Sequence, residues 1–118
     1  LAKHDYQVTS MAWTGDYNDP MTFFDIWTTD SAMNFAAWSN KTYDDNIAKA
    51  AASSDQDTRL NAFKENEEML VYKEAVCAPL DYRQRSQYER KFVKGYLSTL
   101  FGSGFECKYA YTTGRDAK

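Results

Sequence analysis

A chain of 118 residues, 43% hydrophobic and 26% charged, suits one ordinary domain or a piece of a larger one and is too apolar for disorder. With a net charge of −3 nothing looks like the basic face that nucleic-acid binding needs, and no apolar run approaches the roughly 20 residues of a membrane span. The sequence opens at Leu1 with no signal-peptide pattern, as expected of an excised or processed piece, so compartment cannot be read from targeting. Aromatic residues reach 16%, which serves a core but equally a cleft that accepts varied ligands. The densest basic stretch, Arg83, Arg85, Arg90, Lys91 and Lys94, is interrupted by Asp81 and Glu89 and reads as a solvated strand face. Cys77 and Cys107 fit no metal spacing, and the single His4 adds no ligand cluster, so no metal or cofactor is expected. The two cysteines either pair or act as small buried hydrophobes, the second being favoured.

In chain order, Tyr6 to Trp13 alternates large apolar and polar side chains and predicts a strand with apolar groups on both faces, inside a sheet. Thr14 to Pro20 is a turn cluster. Asp19 then caps a helix from Pro20 to about Thr29, with Phe23, Phe24, Ile26 and Trp27 making it apolar nearly all round and buried. Thr28 to Asn40 reads as a loop. Asn40 caps a helix over about Lys41 to Ser53, with Tyr43, Ile47 and Ala50 or Ala51 on one face. Ser54 is expected to cap a third helix, near a capping box with Asp57, running to about Ala75. Its buried stripe would be Leu60, Phe63, Leu70 and Val71, with Glu65, Glu67 and Glu68 in water. Val76 to Leu80 is apolar, and Pro79 restricts it to an edge or an irregular entry. Asp81 to Arg90 is polar and strand-like, 94–104 loop-like, and Phe105 to Thr112 a last strand before a frayed tail from Thr113. A lone strand followed by three helices cannot close a sheet, so the chain is expected to complete one begun elsewhere.

The most specific segment is Ala12-Trp13-Thr14-Gly15-Asp16-Tyr17-Asn18-Asp19-Pro20, followed by Trp38-Ser39-Asn40 and Tyr43-Asp44. A Trp, a turn holding Asp-Tyr, a Pro-initiated helix, then Trp-Ser-Asn and Tyr-Asp on the next helix resemble the peptide-binding proteins of oligopeptide and dipeptide ABC transporters (extracellular solute-binding protein family 5). Lys41 stands where many relatives have Pro. Glu74 to Tyr82 is similar to the segment by which that family crosses between lobes. The resemblance runs from about Tyr6 to Thr112 and implies an α/β architecture. It would be an incomplete, C-terminal piece of a two-lobe (type II) periplasmic-binding-protein fold, with three helices and a few strands. Residues 1–78 would hold the end of the second lobe, and 79–118 the crossing segment and the return to the first. The two cysteines would then fall in different lobes, unbridged.

By itself Asp16 reads as a turn residue bonding its own backbone. The resemblance makes it the carboxylate that replaces water around a peptide's N-terminal ammonium in a closed cleft. It further implies that Ala12 to Thr14 pair with the peptide main chain, that Trp13 walls a side-chain pocket and that Tyr82 faces the cleft. The implied function is the extracytoplasmic capture of oligopeptides for an ABC transporter, at the cell surface as a lipoprotein or in the periplasm, with oligopeptide and transporter permease as partners. Three rivals stand beside it. A signalling-peptide or sugar receptor could use the same fold. The piece could be purely structural, self-associating to cover its strand edges. A carboxylate-pair enzyme would use Asp16 with Asp19 or Asp25, but no nucleophile motif, phosphate loop or metal cluster supports it, and no enzyme activity is expected.

Overall fold

The computed structural model describes residues 5–84, 86–99, 101 and 104–114. His4, Arg85 and the end of the tail expected to fray, residues 115–118, lie outside them. Chain contacts divide the described residues into two compact units: one ends at Trp13 and resumes over Asn18–Leu80, and the other holds Thr14–Tyr17 and the residues from Asp81 onward.

The first unit is helical. A short α1 (Met21–Phe24) tightens into a 3₁₀ turn (Asp25–Trp27). The long apolar helix expected over Pro20–Thr29 is therefore two short turns. Thr22 and Ile26, four residues apart, share the buried side, while Phe23, about 100° away round the axis, is 47% exposed and not core. α2 (Lys41–Ala52) starts where Asn40 Oδ1 accepts the amides of Thr42 and Tyr43 at 2.9 and 3.2 Å, the cap expected of that residue. Tyr43, Ile47 and Ala50 form its buried face. α3 (Gln56–Glu67) is capped by Asp55 and not by Ser54. The Asp55 carboxylate takes both the amide and the hydroxyl of Thr58, at 2.8 and 2.5 Å, and holds two donors where the expected Ser–Asp pair would hold one each. α3 passes without a break into a π-helical turn (Glu68–Lys73). Ala62, Phe63, Asn66, Met69 and Leu70 make the inward stripe; Leu60 falls off it at 45% exposure. The π turn is followed, after Glu74, by Ala75, whose φ of 50° is left-handed, and the amide of Val76 closes on Leu70 O at 2.8 Å.

The core joins Tyr43, Ile47, Ala50, Ala62, Phe63, Met69 and Leu70, with Phe24, Trp27 and Trp38 packed against it. Phe24 stacks on Phe63 at 5.0 Å between ring centroids, and Trp38 meets Tyr43 edge-on at 5.0 Å. No strand forms over Tyr6–Trp13, and Val8 is 88% exposed. The alternation there encodes two faces, but a ladder needs a partner, and no described residue pairs with this segment.

The second unit is built from two-residue strands. β1 (Val93–Lys94) pairs antiparallel with β4 (Tyr111–Thr112), and β2 (Leu97–Ser98) with β3 (Phe105–Glu106). The strand expected over Asp81–Arg90 is absent from its described residues, the loop expected over 94–104 contributes β2, and the single last strand is two separate ones. Gly95 makes the corner between β1 and β2. Its φ is 71°, and a Cβ there would sit 2.4 Å from Tyr109 O, so only glycine fits.

Candidate functional site

The segment that carries the resemblance is held from its flanks. On one side, Trp13 Nε1 donates to Thr22 O at 2.7 Å, fixing the end of the first extended stretch to α1. On the other, Asp19 Oδ1 accepts the Met21 amide at 2.8 Å, while its Oδ2 lies 2.5 Å from Arg59 Nη2. Asp19 thus caps α1 as expected and also pairs with a charge from α3. The Arg59 side chain is only 14% exposed. It reaches across to α2 as well, donating from Nη1 to Ala50 O at 2.6 Å, and its guanidinium lies 5.4 Å over the Phe63 ring.

The second half of the motif is framework. Asn34, buried in the loop 28–40, directs its amide at the carbonyls of Trp27, Thr28 and Trp38, the last at 2.7 Å. Trp38 Nε1 and Asn40 Nδ2 both donate to the Glu74 carboxylate, at 2.5 and 2.6 Å. Tyr43 Oη donates to Phe24 O at 2.7 Å, and burial pushes its hydroxyl far above the ordinary tyrosine range. Asp44 receives both the amide and the hydroxyl of Thr29. Asn66, fully buried, donates to Tyr43 O and accepts from Asn46. These polar residues tie loop to loop, loop to helix and helix to helix. A cap signal at Asn40 was readable in the sequence, whereas Arg59, Asn66 and Glu74 carried none, because their partners are distant in the chain.

Of the five residues predicted to bind ligand, Ala12 and Trp13 group with the helical unit, and Thr14, Asp16 and Tyr82 with the other. Ala12, Thr14 and Asp16 are exposed, Trp13 is half-buried and Tyr82 is fully exposed. Thr14 and Asp16 share one short turn segment; Trp13 is committed through its indole N–H to the α1 backbone. The second unit contains an open, largely apolar hollow of about 490 Å³ walled in part by Tyr88, Val93, Tyr96 and Phe105, and none of the five lines it. In its wall, a hydrogen bond to Glu89 pushes the pKa of the Tyr96 hydroxyl upward.

Cys77 and Cys107 are both free thiols. Cys77 is half-buried and its thiol is pushed up by that burial, which fits an inert hydrophobe; Cys107 is exposed, against the expectation for it. Among the described residues no group of acidic, His or Cys side chains is arranged to hold a metal, and no helix is long and apolar enough to cross a membrane.

No protein-family model matches the chain. Single proteins and a solved structure do. The dipeptide-binding protein DppE of Bacillus subtilis is 31% identical over 92 residues, 78% of this chain. The peptide transport periplasmic protein SapA of Salmonella typhimurium is 32% identical over 107 residues, 87% of this chain. The crystal structure of the substrate-binding domain of an oligopeptide ABC transporter from Bacillus anthracis superposes on 86% of the chain with a TM-score of 0.77 at 30% identity. The chain belongs to the oligopeptide and dipeptide substrate-binding proteins of ABC transporters. Within that family it is a partial piece of the fold, three helices and a few strands. It spans about a fifth of the relatives' length: 17% of DppE, 19% of SapA and 20% of the Bacillus anthracis chain. The names of these relatives specify peptide binding or peptide transport.

Proposed function

We propose that this chain is part of the extracytoplasmic peptide-binding component of an ABC transporter, capturing oligopeptides for import. The reading is supported by the likeness in sequence and fold over most of the chain to proteins whose names specify peptide binding or transport. On this reading the ligand is an oligopeptide and the downstream partner a transporter permease. Residues 1–78 belong to the second lobe of a two-lobed protein, and 79–118 cross back to the first, by way of the stretch Glu74 to Tyr82.

Asp16 is the counter-charge for the peptide's N-terminal ammonium. A charge-assisted hydrogen bond of that kind contributes about 1.5–3 kcal/mol. Its support is an exposed carboxylate on a turn whose flanks are anchored by Trp13 and Asp19. Ala12 to Thr14 pair with the peptide main chain, which is indifferent to side-chain identity and suits a carrier of varied peptides. The Trp13 ring, with its N–H already bonded, offers its face as a pocket wall, and Tyr82 meets the ligand from the crossing segment. Alone, the 118-residue chain encloses no ligand and covers its apolar edges, Val8 and Leu80 among them, by self-association; a monomer mass independent of concentration in sedimentation would contradict that.

The test is calorimetry on the complete two-lobed protein with trialanine and N-acetyl-trialanine. Acetylation removes the ammonium and leaves the main chain, so affinity should fall about tenfold to a hundredfold. Equal affinities would remove Asp16 from this role.

A further inference from the structure

The indole of Trp13 has a single polar group, and its N–H is committed to the carbonyl of Thr22 at 2.7 Å, so the ring follows the position of that carbonyl. Thr22 is 1% exposed and lies in the first turn of α1. Its amide donates to the Asp19 carbonyl at 3.3 Å, and the amide of Met21 donates to Asp19 Oδ1 at 2.8 Å. Asp19 thus holds the residue that holds the indole. The other carboxylate oxygen of Asp19 meets Arg59 Nη2 at 2.5 Å. Arg59 is itself fixed by the Ala50 carbonyl near the end of α2, at 2.6 Å, and by lying over the Phe63 ring. A guanidinium on a side chain only 14% exposed, with these three partners, has little freedom. The exit of α1 is fastened separately, by Phe24 stacking on Phe63 and by Tyr43 Oη donating to the Phe24 carbonyl. All of these residues lie in the helical unit.

Resting on the proposed place of Trp13 in a side-chain pocket, we infer that Asp19 and Arg59 are positioning residues for that pocket wall. They fix the entry of α1 to the α2–α3 pair, and through the Thr22 carbonyl they set the indole before a ligand arrives. An aromatic face contributes most when its partner meets it at a defined offset and separation. A wall that had to be ordered on binding would lose part of that contribution to the ordering itself. The main-chain contacts proposed for the peptide do not involve the indole ring, so the effect of this pair falls on side-chain preference and not on affinity at large. Arg59 and Asp19 themselves touch no ligand on this reading.

The experiment is a double-mutant cycle in the complete two-lobed protein. Calorimetry gives affinities for trialanine and for the three tripeptides in which one alanine is replaced by phenylalanine. The readout is the ratio of phenylalanine-peptide to trialanine affinity at the position where Trp13→Ala lowers it most, a ratio that a merely structural loss would not move. Arg59→Met removes the charge and both hydrogen bonds and keeps an unbranched stem over Phe63. Asp19→Asn removes the ion pair while its side-chain oxygen still accepts the Met21 amide, and it carries the test if Arg59→Met does not fold. Trp13→Ala should lower the ratio about threefold to tenfold and either positioning variant about threefold. Neither should lower it further once Trp13→Ala is present. An equal loss for all four peptides, an unchanged ratio, or the same fall with Trp13→Ala present would overturn the positioning role and leave the pocket wall standing. A ratio that Trp13→Ala itself leaves unchanged or raises at every position would instead remove the pocket wall on which the inference rests.

Discussion

The two units of this chain hold their shape in different ways. In the helical unit side chains tie separate stretches of the chain together: Trp13 to Thr22, Asp19 to Arg59, Trp38 and Asn40 to Glu74, and Tyr43 to Phe24. Its apolar cluster closes on itself around Tyr43 and Phe63. In the other unit the ladders are two residues long, and Leu97, Phe105, Tyr109 and Tyr111 stay half-exposed or more. Such short pairs do not stabilise a sheet on their own. The difference teaches where each part gets its stability. The helical unit contains its own partners, and the strands display apolar surface of the kind that a larger sheet would bury.

The contrast is sharpest in two truncations. Phe63→Ala removes the ring that stacks on Phe24 and carries Arg59, and should cost about 3–5 kcal/mol in the denaturant midpoint of the helical circular dichroism signal. Leu97→Ala, at a strand position half in water, should change stability by less than about 0.5 kcal/mol. Similar losses at both sites would erase the distinction. A smaller effect tests the pins. Asn40→Ala removes the cap of α2 and should cost about 1 kcal/mol, with Glu74→Gln, which keeps one acceptor oxygen, costing less.

The smallest effect is in pH. The side-chain and backbone hydrogen bonds from Thr58 hold the Asp55 carboxyl below its ordinary range. A group depressed in the folded state contributes stability that is present above its unfolded pKa and lost as pH falls through the folded one. The acid side of the stability profile should therefore flatten in Asp55→Asn, where a neutral amide oxygen still accepts from Thr58. An unchanged profile would show that the cap does not sense protonation.

Local signals in the sequence carried the helices well and the strands poorly. Asn40 before an apolar period announced α2, and Asp19-Pro20 announced the entry to α1, because a cap and its amides lie within three residues of each other. Ser54 lost to Asp55 within the same few residues, a choice made by which oxygen gathers more donors. The strand expected from Tyr6 to Trp13 failed for a different reason: alternation specifies faces, and a ladder requires a neighbour that no described residue provides. The π turn, the Ala75 reversal and the Arg59 pair depend on contacts 5 to 40 residues apart and leave no periodic trace. Of the candidate site, the Trp13 and Asp16 segment was legible as a motif. That its flank is fastened by an arginine on α3 was not, since nothing near Arg59 in sequence marks it.

The most direct measurement is on Asp16 itself. With the complete two-lobed protein labelled with ¹³C at its aspartate carboxyls, trialanine is added, and then in a separate titration N-acetyl-trialanine. The account predicts that the Asp16 carboxyl resonance moves to saturation with the free peptide and stays in place with the acetylated one. Equal movement with both, or none with either while trialanine binds, would contradict it.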